Sequence, residues 1–225
     1  MKQILYKRGM YGFWKPKGPS SFDVIREIKK NTEDVCIGHA GTLDPLAEGV
    51  LVVAIGKEFT KKIDSEVKKE KEYIAHIKLG IESSTDDDEG EKKMFEIKKE
   101  PTQEDIEGVL QNFIGTIMQT PPIWSAIKVQ GKEAYKRAEK GEDISLSSRQ
   151  VRIDEIEIIS YTFPDLFIRV ATGPGVYIRS LARDIGKMLK THGYLAGLIR
   201  TKVGGFNKEN SITIEVGFQT PKIRN

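Results

Sequence analysis

The chain has 225 residues, 38% hydrophobic and 31% charged, with a formal net charge of +3. That balance belongs to a globular protein able to bury a core without metal or disulfide staples, rather than to a disordered or membrane one. The longest apolar run, Val50 to Ile55, is far too short to span a bilayer, and Lys2, Lys7, Arg8 and Gly9 interrupt the N-terminus where a secretory signal would be apolar.

A cytoplasmic location is therefore expected. In chain order, Ser20 and Ser21 precede Asp23, and Val24, Ile25 and Ile28 then recur at helical spacing, so a capped helix is predicted from about Phe22 to Lys30. Cys36 is the only cysteine, which rules out an internal disulfide, and its place between Val35 and Ile37 predicts a small buried hydrophobe. A Gly- and Pro-punctuated loop is expected over Gly38–Gly49. The apolar run between Gly49 and Gly56 reads as a strand buried on both faces. Tyr73, Ala75, Ile77 and Leu79 then alternate with Ile74, His76 and Lys78, the period of a strand with one face toward a core.

Residues 81 to 100 are acidic, then basic, with little periodicity, and read as a solvated connection. Thr102 caps a predicted helix whose stripe is Ile106, Val109, Leu110 and Phe113. The segment from Pro121 to Arg149 holds Trp124, Tyr135, lysines, Arg137 and several glycines and serines, too polar for much core, and reads as a long excursion. Val151–Tyr161 and Leu166–Ala171, broken by Phe163-Pro164-Asp165, predict a hairpin. Ile178, Leu181, Ala182, Ile185 and Leu189 form the last helical stripe, with Arg179 in its first turn, and Ser211–Val216 is strand-like. This order of elements predicts an α+β fold with a mixed, mainly antiparallel sheet.

His39, His76 and His192 lie far apart, without metal-site spacing, and no phosphate-binding or serine-nucleophile motif is present. What remains is Gly38-His-Ala-Gly-Thr-Leu-Asp-Pro-Leu-Ala-Glu-Gly49, one carboxylate among glycines, with Pro45 biasing Asp44 toward an extended turn. Taken alone, an Asp-Pro pair is more often a turn than a nucleophile. A glycoside-type hydrolase would need a second carboxylate, and only Glu48 and Asp34 are near in sequence.

The string Gly38–Gly49 with Val50-Leu51 resembles the signature of the TruB family of pseudouridine synthases. The resemblance continues, in family order, through Lys15-Pro-Lys-Gly-Pro-Ser-Ser21, Lys71-Glu-Tyr73, Pro121-Pro-Ile-Trp-Ser-Ala-Ile-Lys128, Gly175-Val-Tyr-Ile-Arg179 and Leu198-Ile-Arg-Thr201, and covers residues 12 to 206. It implies a single catalytic domain over residues 1–225 with a thumb-like RNA-binding insertion at about 121–149. It also implies isomerisation of the T-loop uridine at tRNA position 55, by base flipping and covalent catalysis, with neither cofactor nor metal. By the same resemblance Asp44 is the nucleophile, attacking either the ribose or the uracil ring, and Arg179 keeps it ionised. Tyr73 stacks on the target base, Tyr177 and Leu198 shape the uracil pocket, and His39 fills the gap the base leaves. Lys128 and Arg149, with Lys132, Lys136 and Arg137, would meet phosphates.

By spacing alone, Arg179 reads instead as a surface cation paired with Asp184 or another helix-face partner, and Tyr73 and Leu198 read as core. Val176, Ile199 and Glu139 depart from the family's usual threonine and arginines. The family's C-terminal PUA domain is expected to be absent or vestigial, and a monomer is expected. A rival of another class is an RNA-binding protein without turnover; Asp44, Tyr73 and Arg179, all intact, argue against it.

Overall fold

The computed structural model describes residues 6–214. Along them lie β1 (Gly9–Lys15), α1 (Ser21–Lys30), β2 (Ile37–Ala40), β3 (Ala47–Ile55), α2 (Lys57–Thr60), α3 (Ile63–Val67), β4 (Lys71–Leu79), β5 (Ile81–Ser83) and β6 (Lys92–Met94). There follow α4 (Gln103–Gln111), β7 (Gly115–Gln119), β8 (Lys128–Val129), β9 (Lys132–Glu133), α5 (Ala134–Ala138), β10 (Arg149–Thr162), β11 (Asp165–Thr172), α6 (Ile178–Met188), β12 (Gly193–Val203), β13 (Phe206–Asn207) and β14 (Ser211–Thr213). They divide into two compact units, one up to Lys71 and again from Ile199, the other Glu72–Leu198.

In the first unit the strands run β14–β1–β3, with β2 also on β3 and the second half of β12 alongside. β1 is antiparallel to β3 and parallel to β14, so the sheet is mixed. β3 is apolar throughout because both its faces are covered. Leu51, Val53 and Ile55 pack with Phe13 against Val24, Ile25 and Ile28 of α1, while Val50 and Val52 pack with Ala40 and Val203. α1 starts where the Ser20 hydroxyl accepts the Asp23 N–H and the Asp23 carboxylate accepts the Ser20 N–H, a reciprocal cap that satisfies two otherwise orphaned donors.

In the second unit β4, β11, β10 and β7 lie in that order beside the first half of β12. The predicted hairpin is formed by β10 and β11, which are antiparallel, as are β10 and β7. Tyr73, Ala75, Ile77 and Leu79 face a core completed by Ile106, Leu110 and Phe113 from α4 and its end, and by Ile178, Leu181, Ala182 and Ile185 from α6. Thr102 caps α4 in the same reciprocal way, with Asp105. The fold is thus α+β, with mainly antiparallel pairing and helices on the sheet.

Three expectations are corrected, and a fourth is borne out in part. The loop expected over Gly38–Gly49 is shorter, because His39 and Ala40 pair with Val53 and Val52 and the strand begins at Ala47. Residues 81 to 100 are not a plain solvated connection. They contain the β5–β6 hairpin, and the acidic turn between its strands buries Asp87. Cys36 is half-buried rather than buried, its thiol 3.5 Å from the Thr60 hydroxyl. Of the strand-like tail, Ser211–Thr213 forms β14, and Glu215 and Val216 lie outside the described residues. Among the described residues no helix is long and apolar enough to cross a membrane.

Candidate active site

Asp44 and His39 belong to the first unit, on the turn that joins β2 to β3 and on β2 itself. The turn closes on itself where the Ala47 N–H donates to the Asp44 carbonyl at 3.0 Å. The N-terminus of α1 holds it from one side: the Ser21 hydroxyl accepts the Leu43 N–H at 2.8 Å and donates to the Leu43 carbonyl at 2.9 Å. Gly18 N–H adds a bond to the Pro45 carbonyl at 2.8 Å.

Two buried cations grip the same turn. Lys15 is 0% exposed because it shares the inward face of β1 with Phe13, two residues earlier. Its ammonium donates to the carbonyls of Ala47 at 2.6 Å, Pro16 at 2.9 Å and Pro45 at 3.5 Å. Burial lowers its pKa to about 8, against which the nearby Asp44 carboxylate pulls upward. Arg200, on β12, donates to the carbonyls of Val50 and Gly41 at 2.8 and 3.0 Å. A carboxylate on a turn whose backbone is pinned by two cations is held in place. His39 is half-buried. Burial first, and the Arg200 charge second, push its imidazole below the usual histidine range, and its Nδ1 has no hydrogen-bond partner among the described residues.

Tyr73, Tyr177, Arg179, Leu198, Lys128 and Arg149 belong to the second unit. Tyr73 is 6% exposed and lies in the core of that unit, with Leu198 packed against the same cluster. Tyr177 is the residue before α6, held there by Gln119, whose side-chain oxygen accepts the Tyr177 N–H at 2.8 Å and whose amide donates to the Tyr177 carbonyl at 3.1 Å. The Arg149 guanidinium lies 5.1 Å from the centre of the Tyr177 ring and donates to the Gly175 carbonyl at 2.7 Å, so these two side chains are brought together. Lys128 is exposed on a two-residue hairpin turned by Gln130 and Gly131, both at positive φ.

Arg179 corrects the reading made from spacing alone. It is buried, and its guanidinium donates to the Asp87 carboxylate at 3.2 Å and to the Trp124 carbonyl at 2.9 Å; Asp184 pairs instead with Arg183. Asp87 is itself fixed by the Thr85 hydroxyl and the Glu89 N–H. Arg183 extends the pattern to Asp86, at 2.7 Å. Burial pushes the Asp86 carboxyl above the usual range despite that partner. Among the described residues no cluster of histidine, cysteine or carboxylate side chains is arranged to hold a metal ion. The side chains missed by sequence reasoning are Asp87, Lys15 and Arg200. Only Lys15 carried a usable signal, its i+2 spacing from Phe13.

A mixed, mainly antiparallel sheet flanked by helices is consistent with the pseudouridine synthase fold. Residues 29–178 match the model of the TruB family pseudouridylate synthase N-terminal domain. The tRNA pseudouridine synthase B of Phocaeicola vulgatus is 44% identical over 209 residues, 90% of this chain and 88% of that one. That of Clostridium tetani is 39% identical, over 92% and 71%. Among solved structures, a chain of a Cbf5–Nop10–Gar1 complex superposes with a TM-score of 0.71 at 30% identity, matching 92% of this chain but 52% of its own length. A chain of an H/ACA RNP bound to a substrate RNA containing 2′-deoxyuridine gives 0.67 at 28%, over 91% and 50%. This chain therefore spans about half the length of those solved chains. It belongs to the TruB family and is an enzyme of the isomerase class, a tRNA pseudouridine synthase.

Proposed function

We propose that the substrate position is uridine 55 in the T-loop of tRNA and that Asp44 is the covalent nucleophile. The observation that carries the reading is the Asp44 turn, pinned through its backbone by Lys15, Ser21 and Arg200. A nucleophile that must meet one carbon of a base or sugar gains most from being held before the substrate arrives. The reaction breaks the bond from ribose C1′ to uracil N1 and forms one from C1′ to C5. The C5 proton leaves and N1 gains one, so no oxidant or cofactor is needed. A carboxylate suits the task because it can both attack and leave.

In this reading the target base is flipped out of the T-loop, and stacking on Tyr73 and contacts with Tyr177 and Leu198 offset the few kcal/mol of lost stacking. His39 occupies the vacated gap. Arg179, its guanidinium fixed by Asp87, carries the permanent charge that in this reading keeps the nucleophile ionised. Residues 121–149 act as an RNA-gripping thumb, with Lys128 and Lys132 meeting phosphates and Arg149 orienting Tyr177. The working unit is a monomer acting in the cytoplasm.

The test is carbodiimide-dependent primer extension on unmodified tRNA incubated with the protein. A new stop at position 55, absent from a tRNA with cytidine there, is the expected result. Pseudouridine formed only elsewhere in the tRNA would refute the assigned position.

A further inference from the structure

The turn that carries Asp44 lies between Gly41 and Gly49, two glycines with φ of +82° and +117°. One side chain reaches both of its flanks. Arg200, 2% exposed, donates through Nη2 to the Gly41 carbonyl, before Asp44, and through Nε to the Val50 carbonyl, after it. Its backbone closes on Gly49 so tightly that a Cβ there would stand 2.2 Å from the Arg200 carbonyl oxygen. The N–H groups of a guanidinium lie in one rigid plane, so two carbonyls bonded to it are fixed relative to each other. A lysine, with its donors on one freely rotating centre, holds no such separation.

We infer that Arg200 is a positioning residue for the isomerisation: by setting the spacing between the two flanks of the turn, it sets where the Asp44 carboxylate stands. The inference rests on the reading of Asp44 as nucleophile. Arg200 is buried and bonds the backbone of the loop, so its loss slows the chemical step and leaves tRNA affinity alone. A misplacement of about 1 Å in a reacting group costs roughly a hundredfold in rate. An arginine that merely stabilised the strand would lower activity only as far as it unfolded the protein.

The experiment measures single-turnover pseudouridine formation and the tRNA Kd for Arg200→Lys, Arg200→Met and Ile28→Ala, well below each variant's Tm. Ile28 is fully buried with α1 and serves as a control for lost stability. The expected losses in rate are about tenfold for Arg200→Lys and a hundredfold for Arg200→Met, with Kd within about threefold of wild type. Ile28→Ala keeps the wild-type rate. Should Arg200→Met fail to fold, Arg200→Lys decides alone. Folded Arg200 variants at the wild-type rate, or a loss confined to Kd, would overturn the inference. Wild-type turnover and its absence in Asp44→Asn, measured alongside, keep a failure of the underlying reading distinct.

Discussion

Gly49→Ala isolates the packing that holds the Asp44 turn. At φ +117° a side chain is strained wherever it points, by about 1–2 kcal/mol from local sterics alone. The added Cβ would also lie 2.2 Å from the Arg200 carbonyl oxygen, 2.7 Å from its nitrogen and 2.8 Å from its carbonyl carbon, where real Cβ contacts stay beyond 3.0 Å. Because all three atoms are backbone, relief requires the strands to part, which loosens the Arg200 bonds to Val50 and Gly41 at about 1–3 kcal/mol for each acceptor left unsatisfied. With both acceptors lost the sum is about 3–8 kcal/mol, a large share of a typical total of roughly 5–15. Tm should fall by about 10 °C or more. Gly108→Ala is the internal control. Its Cβ would meet nothing within 4 Å on α4, and it should gain about 0.5–1 kcal/mol. Urea denaturation of both variants checks this, and a Gly49→Ala protein within 1 kcal/mol of wild type would refute the packing argument.

Three further outcomes follow from the same geometry. The unfolded chain binds the Lys15 proton more tightly than the native one, whose ammonium is lowered to about 8 from 10.5, so the penalty is full below pH 8 and is relieved between 8 and 10.5. Wild-type stability relative to Lys15→Met should therefore rise across that window, by at most about 3 kcal/mol and less where solvent screens the charge; parallel urea profiles would contradict it. Asp87→Asn removes the charge facing Arg179, and should destabilise by about 3 kcal/mol and slow single-turnover chemistry at least tenfold. Thermal melts and rapid-quench kinetics check the two effects. Lys128→Ala should lower the slope of log K for tRNA against log salt by about 0.7–0.9 if one phosphate contact is lost, measured by filter binding at several salt concentrations.

Local pattern made much of this architecture legible. The capping boxes at Ser20 and Thr102, the two-residue alternation from Tyr73 to Leu79 and the apolar run of β3 each depend on neighbours within a few residues, and each element forms where those neighbours place it. The acidic turn was illegible for the opposite reason. Asp87 finds Arg179 across 92 positions of chain, and nothing in the run of charges around it distinguishes a buried partner from a solvated one. Arg200 likewise stands beside Gly41 and Val50 only because β12 returns next to β3. In the candidate site, Asp44 stood out by its motif and Lys15 by its spacing from Phe13, whereas the Arg200 contacts emerge only once the strands are paired.

The central claim is tested most directly by tritium release from tRNA labelled at uridine C5, with wild-type and Asp44→Asn proteins compared at matched tRNA occupancy. The account predicts release by the wild type and none above background by the variant, with tRNA bound equally well. Release by Asp44→Asn at a rate within tenfold of wild type would contradict the assignment of Asp44 as nucleophile.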